Sequence, residues 1–152
     1  MSIRKATIND AKRIQSLILS AAEPETNTDF NKAGVAHFKK TLELEAIKDR
    51  IQDEEYLMLC FIKECKIVGI IAIYRKEKLS QLFVDPAARK LNIARQLWLA
   101  ANLMCVAQGG NGKYWVKSST MAVPVYQSFG FRLEATQKNT DGIVYHLMLL
   151  EP

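Results

Sequence analysis

The chain has 152 residues, of which 49% are hydrophobic and 24% are charged, and these values exclude a disordered protein. A chain of this length can bury about 70% of its unfolded surface around one core, so we expect a single domain over residues 1–152. The formal net charge is +5, but the basic residues are scattered, which favours general solvation over a specific acidic partner. The sequence has no RNP-like aromatic motif and no zinc-finger spacing, which argues against a nucleic-acid partner.

The cysteines and the N-terminus bear on the cellular compartment. Cys60, Cys65 and Cys105 show no metal-binding spacing, and an odd count argues against a complete disulfide framework. We therefore expect a reducing, cytoplasmic environment and no metal site. Residues 1–5 lack the apolar core of a signal peptide, and no apolar run approaches the roughly 20 residues of a membrane span. Secretion and membrane insertion are not expected.

The first half of the chain predicts an edge strand at residues 2–7 and a helix that begins after Asn9 or Asp10 and ends before Pro24. Residues 32–52 form a second, less regular helical region, in which Gly34 suggests a bend near the start. Residues 56–63 and 67–74 are rich in β-branched and aromatic side chains and predict a hairpin, in which Gly69 marks either a bulge or a close packing contact.

The middle of the chain predicts a strand, a basic loop and a helix in that order. An apolar run at residues 79–84 ends at Asp85, and the apolar spacing from Ile93 to Ala107 is typical of a helix. A glycine-rich stop and a new strand at residues 114–117 follow. A helical crossover of this kind places the new strand parallel to the one that ends at Val84.

The last part predicts a short helix at residues 122–129, which ends at Gly130, and two strands at residues 133–138 and 143–150. The Asp141-Gly142 pair is typical of a hairpin turn. The expected fold is therefore a mixed α/β sheet of six or seven strands flanked by about four helices.

The start of the central helix is a candidate anion site. The first turn of a helix has amide groups without intrahelical partners, and the helix dipole adds partial positive charge there. Arg89, Lys90 and Arg95 crowd this position, and Asn92 is both a good N-cap and tolerant of a left-handed backbone. A phosphate or pyrophosphate would fit here.

Two motifs resemble the GCN5-related N-acetyltransferases. The segment Arg-Lys-Leu-Asn-Ile-Ala at residues 89–94 is similar to that family's R/Q-x-x-G-x-G/A loop, with Asn92 in place of the usual Gly. Residues 119–131 resemble the closing motif N-x-x-A-x-x-x-Y-x-x-x-G-F. Ser119 stands where Asn is common, whereas Ala122, Tyr126, Gly130 and Phe131 agree.

The resemblance implies a site for acetyl coenzyme A between two splayed parallel strands. The backbone of Leu82, Phe83 and Val84 would hold the pantetheine and the acetyl carbonyl. The amides of the loop would hold the pyrophosphate, and Ser119 would cap the last helix or contact the coenzyme. The loop residues in this expectation are Arg89, Lys90, Leu91, Asn92, Ile93, Ala94 and Arg95.

The implied reaction is direct transfer of an acetyl group to an amine of a small molecule or protein. Tyr126 matches the general acid that protonates the departing thiolate, and a phenol with a pKa near 10 can supply that proton. Spacing alone favours a core tyrosine, and only the resemblance of residues 119–131 favours the role of general acid. The sequence does not identify a general base. The residues chemically able to take a proton are Glu54, Glu55, Glu77, His37 and His146.

Two other functions remain open at this point. A domain with the same fold could bind an acyl coenzyme without catalysis and act as a sensor or interaction module; Asn92 is the only sequence feature that favours it. The basic surface could also contact nucleic acid, in which case binding would depend steeply on salt. The amine acceptor stays unidentified, and a homodimer through the C-terminal strands is the expected assembly.

Overall fold

The structure is a computed structural model that describes the backbone of residues 1–152 and every side chain except those of Lys90, Thr136, Gln137 and Lys138. Seven strands form one sheet in the order β1-β2-β3-β4-β5-β7-β6. The strands are β1 (Ser2–Lys5), β2 (Tyr56–Lys63), β3 (Lys66–Tyr74), β4 (Lys78–Val84), β5 (Tyr114–Ser118), β6 (Arg132–Thr140) and β7 (Ile143–Leu150). The helices are α1 (Ala11–Ala22), α2 (Lys32–Thr41), α3 (Leu44–Gln52), α4 (Ile93–Ala107) and α5 (Val123–Ser128). The predicted sheet is confirmed.

The described residues contain five α-helices, not about four, because residues 32–52 form two helices. The break lies at Leu42 and Glu43 rather than near Gly34. Leu42 is buried, its carbonyl accepts a hydrogen bond from Gln15 Nε2 (2.8 Å), and the Thr41 carbonyl accepts one from Arg50 (2.7 Å). These side chains satisfy carbonyls that a continuous helix would have used, so α2 ends there.

Two apolar layers cover the sheet, one on each face. On one face, α4 and α5 pack against strand residues such as Ile71, Leu79 and Val116. On the other face, α1 and α3 pack against Ile70 and Ala72 of β3 together with β2. The alternation of these residues along β3 is what a strand buried on both faces requires. No helix among the described residues is long and apolar enough to cross a membrane.

The centre of the sheet contains the only parallel pair between its named strands, β4 and β5, and this pair is splayed. The two strands are in register at a single position, Lys78 opposite Trp115, where the Trp115 amide donates to the Glu77 carbonyl (2.9 Å). A bulge at Ser80, between the pairs Ile73–Leu79 and Ala72–Gln81, redirects β4 just beyond this point. The strands therefore diverge towards their C-terminal ends, as expected, and leave a V-shaped opening.

The segment between α1 and α2 lies next to β7 beyond the end of β5. Val144 donates its amide to the Asp29 carbonyl (2.7 Å), and Phe30 forms an isolated antiparallel bridge with Ile143. At the start of α2, a Cβ atom added to Gly34 would lie 2.1 Å from the Gly142 carbonyl oxygen. The α1–α2 segment is thus fixed against the β6–β7 hairpin, beside the open end of the V.

Candidate active site

The first turn of α4 is positioned by close packing on β3. A Cβ atom added to Gly69 would lie 2.9 Å from Ile93 Cγ2 and 3.1 Å from Leu97 Cδ1, so the glycine lets the helix approach the strand. This close packing was one of the two roles predicted for Gly69. Gln96 N–H to Asn92 C=O (3.2 Å) is the first backbone bond of the helix. The amides of Ile93, Ala94 and Arg95 come before it, where a helix has no internal acceptors.

Asn92 joins a 3₁₀ helix at Pro86–Leu91 to α4 in a left-handed conformation, with φ 60° and ψ 28°. The tolerance predicted for asparagine is therefore used here. Its side chain makes no capping hydrogen bond and is exposed, so its role is conformational rather than that of a side-chain N-cap. A glycine would take this backbone conformation without any side chain at the mouth of the helix.

Two arginines flank this loop, and both contact the C-terminal ends of other helices. Arg89 donates to the Ala21 carbonyl at the end of α1 (2.9 Å), and Arg95 is 3.4 Å from the Ser128 carbonyl at the end of α5. A cation at a helix C-terminus is favoured by the dipole. Both side chains are exposed, as is that of Leu91, so they do not close the helix start. The predicted Lys90 side chain lies outside the described residues.

We expect the substitution Asn92→Gly to strengthen coenzyme A binding while changing the free energy of unfolding by less than about 1 kcal/mol, since glycine also accepts the left-handed backbone. Asn92→Val should destabilise the protein by about 1–2 kcal/mol because a β-branched residue is strained at this φ. Isothermal titration calorimetry and urea unfolding would measure the two effects. Weaker binding in Asn92→Gly would mean that the Asn92 amide itself contacts the ligand.

The edge of β4 that faces β5 has unpaired backbone groups along the opening. Leu82, Phe83 and Val84 pair with β3 on one side, and the described residues show no register with β5 beyond Lys78. Unpaired backbone groups in a cleft cost free energy unless a ligand or water satisfies them. The amides and carbonyls of an extended ligand would do so, which matches the expectation for these three residues.

Tyr126 lies in α5 and is 6% exposed, within the same apolar cluster as Val84, Ala88 and Ile93. Its ring contacts Phe131 edge-on, with centroids 5.6 Å apart. No described residue hydrogen-bonds its hydroxyl. Burial raises the pKa of Tyr126 above the usual value for a phenol, so the hydroxyl keeps its proton at neutral pH. The phenol therefore stays protonated, and its role as a proton donor stays a prediction.

The loop between β5 and α5 is held by a hydrogen-bonded chain that the sequence did not predict. The Asp29 carboxylate, 6% exposed, accepts from the Thr120 backbone amide (2.9 Å) and from Thr120 Oγ1 (2.7 Å). Thr120 Oγ1 is also 3.0 Å from His146 Nε2. Ser119 Oγ accepts from the Ala122 amide (3.2 Å) in the turn before α5, but the N-cap of α5 is Ala122 and no side chain caps this helix. The burial of Asp29 is what identifies its structural role, and the sequence carries no signal of that burial.

The residues considered as general bases do not come together at one site. His37 is exposed and 3.5 Å from Asp141, and Glu55 is exposed near Arg75. Glu54 and Glu77 are exposed as well. His146 is half-buried, and its Nε2 atom is 3.0 Å from Thr120 Oγ1. Among the described side chains, no group of three or more His, Cys, Asp or Glu residues could hold a metal ion.

Solved structures with the same fold cover nearly the whole chain. PaiA N-acetyltransferase from Thermoplasma acidophilum, in complex with coenzyme A, has a TM-score of 0.84 at 15% identity, with 99% of this chain and 98% of that chain covered. An aminoglycoside 6'-acetyltransferase type Ii has a TM-score of 0.72 at 14% identity, with coverage of 98% and 96%. The ribosomal-protein-S18-alanine N-acetyltransferase from Escherichia coli has a TM-score of 0.65 at 19% identity, with coverage of 98% and 92%. At these identities the likeness concerns the fold.

Sequence comparison identifies the family. No curated protein sequence matches the chain. A sequence model described as an acetyltransferase (GNAT) domain matches residues 26–152, a range that includes the basic loop, α4, Tyr126 and the final hairpin. This range is most of the chain, and the resemblance of the two motifs is confirmed. The protein therefore belongs to the GNAT family of acetyltransferases.

Proposed function

We propose that this protein transfers an acetyl group directly from acetyl coenzyme A to an amine of a small molecule or protein. The observation that carries the proposal is the single registered pair between β4 and β5, Lys78 with Trp115, which leaves an opening beside the amides of the α4 start. The coenzyme A bound to the Thermoplasma acidophilum protein supports the same ligand here.

In this proposal the α4 start holds the diphosphate and the free edge of β4 holds the pantetheine. The amides of Ile93, Ala94 and Arg95 would donate to phosphate oxygens, where the helix dipole favours negative charge. The backbone of Leu82 and Phe83 would pair with the pantetheine amides. The two anchoring regions adjoin each other, so they would direct the thioester into the opening beside β4, on the side of Leu82 that is remote from the α4 start.

The chemical step joins the amine nitrogen to the acetyl carbonyl carbon and breaks the bond between that carbon and sulfur. The nitrogen loses a proton to solvent water, the thiolate takes one from the Tyr126 hydroxyl, and the phenolate then regains a proton from solvent. Burial raises the pKa of Tyr126 and makes it a weaker acid than a free phenol. The same poorly solvated environment also disfavours the departing thiolate and raises the pKa of its thiol, so proton transfer to sulfur stays feasible.

The test is the release of free coenzyme A thiol in the presence of amines, amino acids, polyamines, aminoglycosides and peptides. We expect release that depends on both acetyl coenzyme A and one class of acceptor. Calorimetry in parallel should show coenzyme A binding. Binding without thiol release on any acceptor would instead favour a catalytically silent sensor, for which Asn92 in the loop is the one sequence feature.

Four further expectations belong to this proposal. The chain functions as a single domain over residues 1–152, in the cytoplasm, without nucleic acid, and as a homodimer through β6 and β7. Size-exclusion chromatography with light scattering would test the dimer. Binding of RNA or DNA that weakens steeply with salt would contradict the expectation about nucleic acid.

A further inference from the structure

Two lysines lie over aromatic rings on adjacent strands of the sheet. Lys78 Nζ is 5.0 Å from the centroid of the Trp115 ring, and Lys117 Nζ is 4.9 Å from that of Tyr145. These distances are within the range of cation–π contacts, which hold an ammonium group in place over a ring. We call these four residues the lysine platform. It spans β4, β5 and β7.

The platform lies on the face of the sheet opposite to α4. Lys78 is in register with Trp115, and side chains two residues apart share a face, so Lys117 is on that face too. The intervening residues Tyr114 and Val116 belong to the apolar cluster under α4. Trp115 and Tyr145 are half-buried and Lys117 is exposed, so the platform is accessible beside the opening between β4 and β5.

The platform carries positive charge that no described carboxylate neutralises. Neither Lys78 nor Lys117 is among the cations that form ion pairs within 4.0 Å in the described part of the chain. Desolvation is the main cause that lowers the pKa of Lys78, and the charge of Lys117 is the second. Two ammonium groups that repel each other would both be stabilised by an anion between them.

A further polar group on the same face needs a hydrogen-bond donor. Gln81 is opposite Ala72, whose side chain lies in the cluster under α1 and α3. The Gln81 Oε1 atom is buried and has no hydrogen-bond partner among the described residues. An amide oxygen of this kind is stabilised by an ammonium or amine donor. Gln81 lies three residues after Lys78 on β4, at the widening part of the opening.

On the basis of the proposed transferase function, we propose that the acceptor is a small amine that also carries an anionic group, bound with its anion at Lys78 and Lys117 and its amino group near Gln81. Phe38 and Phe83, whose ring centroids are 6.5 Å apart, pack against the apolar cluster on this same face of the sheet. Polycations would be repelled by the lysine platform, because like charges at short range raise the free energy of the complex.

The test uses four amines of similar length whose second group differs in charge. β-Alanine and O-phosphoethanolamine carry a carboxylate and a phosphate, β-alaninamide is neutral there, and diaminopropane is cationic. We expect kcat/KM from thiol release to be about 10-fold higher for the better anion than for the neutral amide, as for one partly exposed charged hydrogen bond. Diaminopropane should be the poorest substrate. The two anions distinguish a carboxylate site from a phosphate site.

Variants of the platform connect this preference to particular residues. Lys117→Met should remove most of the 10-fold preference for the anion, whereas Lys117→Arg should keep it because the charge remains. Gln81→Met should lower kcat/KM for all four amines by a similar factor. The matched control is Lys113→Met, which removes the same charge from the residue before β5, where Lys113 lies 3.7 Å from Glu151. It should leave the preference unchanged.

A binding measurement keeps the test independent of turnover. Calorimetry on the protein loaded with coenzyme A would compare N-acetyl-β-alanine with its amide, and we expect tighter binding of the carboxylate in the wild type and in Lys113→Met but not in Lys117→Met. Equal binding of acid and amide, or a preference for diaminopropane, would overturn this inference. Thiol release that shows no preference for the charge of the amine would overturn the anion-site inference but not the transferase function. Absence of thiol release from every acceptor would contradict the transferase function, and the calorimetric comparison would still decide the anion site.

Discussion

Tyr126→Phe is expected to lower thiol release by about 10²–10⁴-fold while coenzyme A affinity stays within about twofold, which is the range for removal of a positioned general acid. The substitution removes one oxygen from a ring that is 6% exposed and packed edge-on against Phe129 and Phe131. The ring contacts stay, and no described residue loses a hydrogen bond. Reduced activity would therefore report the missing proton donor rather than a disturbed fold.

The measurement is steady-state thiol release with saturating acceptor, together with urea unfolding to compare stability. Tyr74→Phe is the matched control, because the Tyr74 ring pairs with Tyr56, at 4.8 Å between centroids, near the closed end of the β4–β5 opening. It should retain full activity. Unchanged turnover in Tyr126→Phe would assign the proton to water or to another residue, and Tyr126 would then be a core tyrosine only.

The raised pKa of Tyr126 gives a related expectation for pH. Burial disfavours the phenolate, so the phenol is protonated throughout the range in which a free tyrosine begins to ionise, near pH 10. Wild-type activity should therefore not decline between pH 8 and about pH 10 through loss of this proton. A decline in kcat over that range that is absent in the Phe variant would show that the phenol ionises more readily in the complex.

Asp29→Ala is expected to destabilise the fold by about 3 kcal/mol, because it removes the two hydrogen bonds that the buried Asp29 carboxylate accepts from the Thr120 amide and from Thr120 Oγ1. The loop between β5 and α5 would lose its connection to the α1–α2 segment. Since Tyr126 follows this loop, thiol release should also fall. Urea unfolding and the thiol assay would measure the two effects.

Two variants separate the role of the Asp29 carboxylate from that of a general loss of charge. Asp141→Asn removes the charge of an exposed carboxylate that is 3.5 Å from His37, and asparagine accepts the same left-handed backbone, so it should change stability by less than about 0.5 kcal/mol. Asp29→Asn keeps one acceptor oxygen and should recover part of the lost stability. An equal loss in Asp29→Ala and Asp141→Asn would show that the Asp29 bonds contribute little.

Local sequence signals predicted the elements whose structure depends on nearby residues. The helix Ile93–Ala107 was predicted from its apolar spacing, and the close approach at Gly69 was one of two roles predicted for that glycine. The hairpin turn at Asp141-Gly142 has φ values of 55° and 80°, as the dipeptide suggested. In each case, the backbone conformation or the spacing belongs to the residue itself or to its immediate neighbours.

Features that depend on distant contacts were missed. The break at Leu42 needs Gln15 from α1, and Asp29 binds Thr120, which is 91 residues further along the chain. The bulge at Ser80 carries no glycine or proline signal. The lysine platform exists only because β4, β5 and β7 are neighbours in the sheet. The motifs predicted a coenzyme site at the start of α4, which stays a prediction, whereas the surface proposed for the acceptor depends on tertiary contacts that a single sequence does not show.

The contact between Gly34 and Gly142 couples two segments that are about a hundred positions apart. Any side chain at residue 34 would push α2 away from the hairpin turn, and with it Phe38, which contacts Phe83 on β4. A change in the length or shape of the final turn would therefore also displace Phe38 from Phe83 on β4. A redesign of the proposed amine specificity would therefore have to change α2 and this turn together, because neither can move without the other.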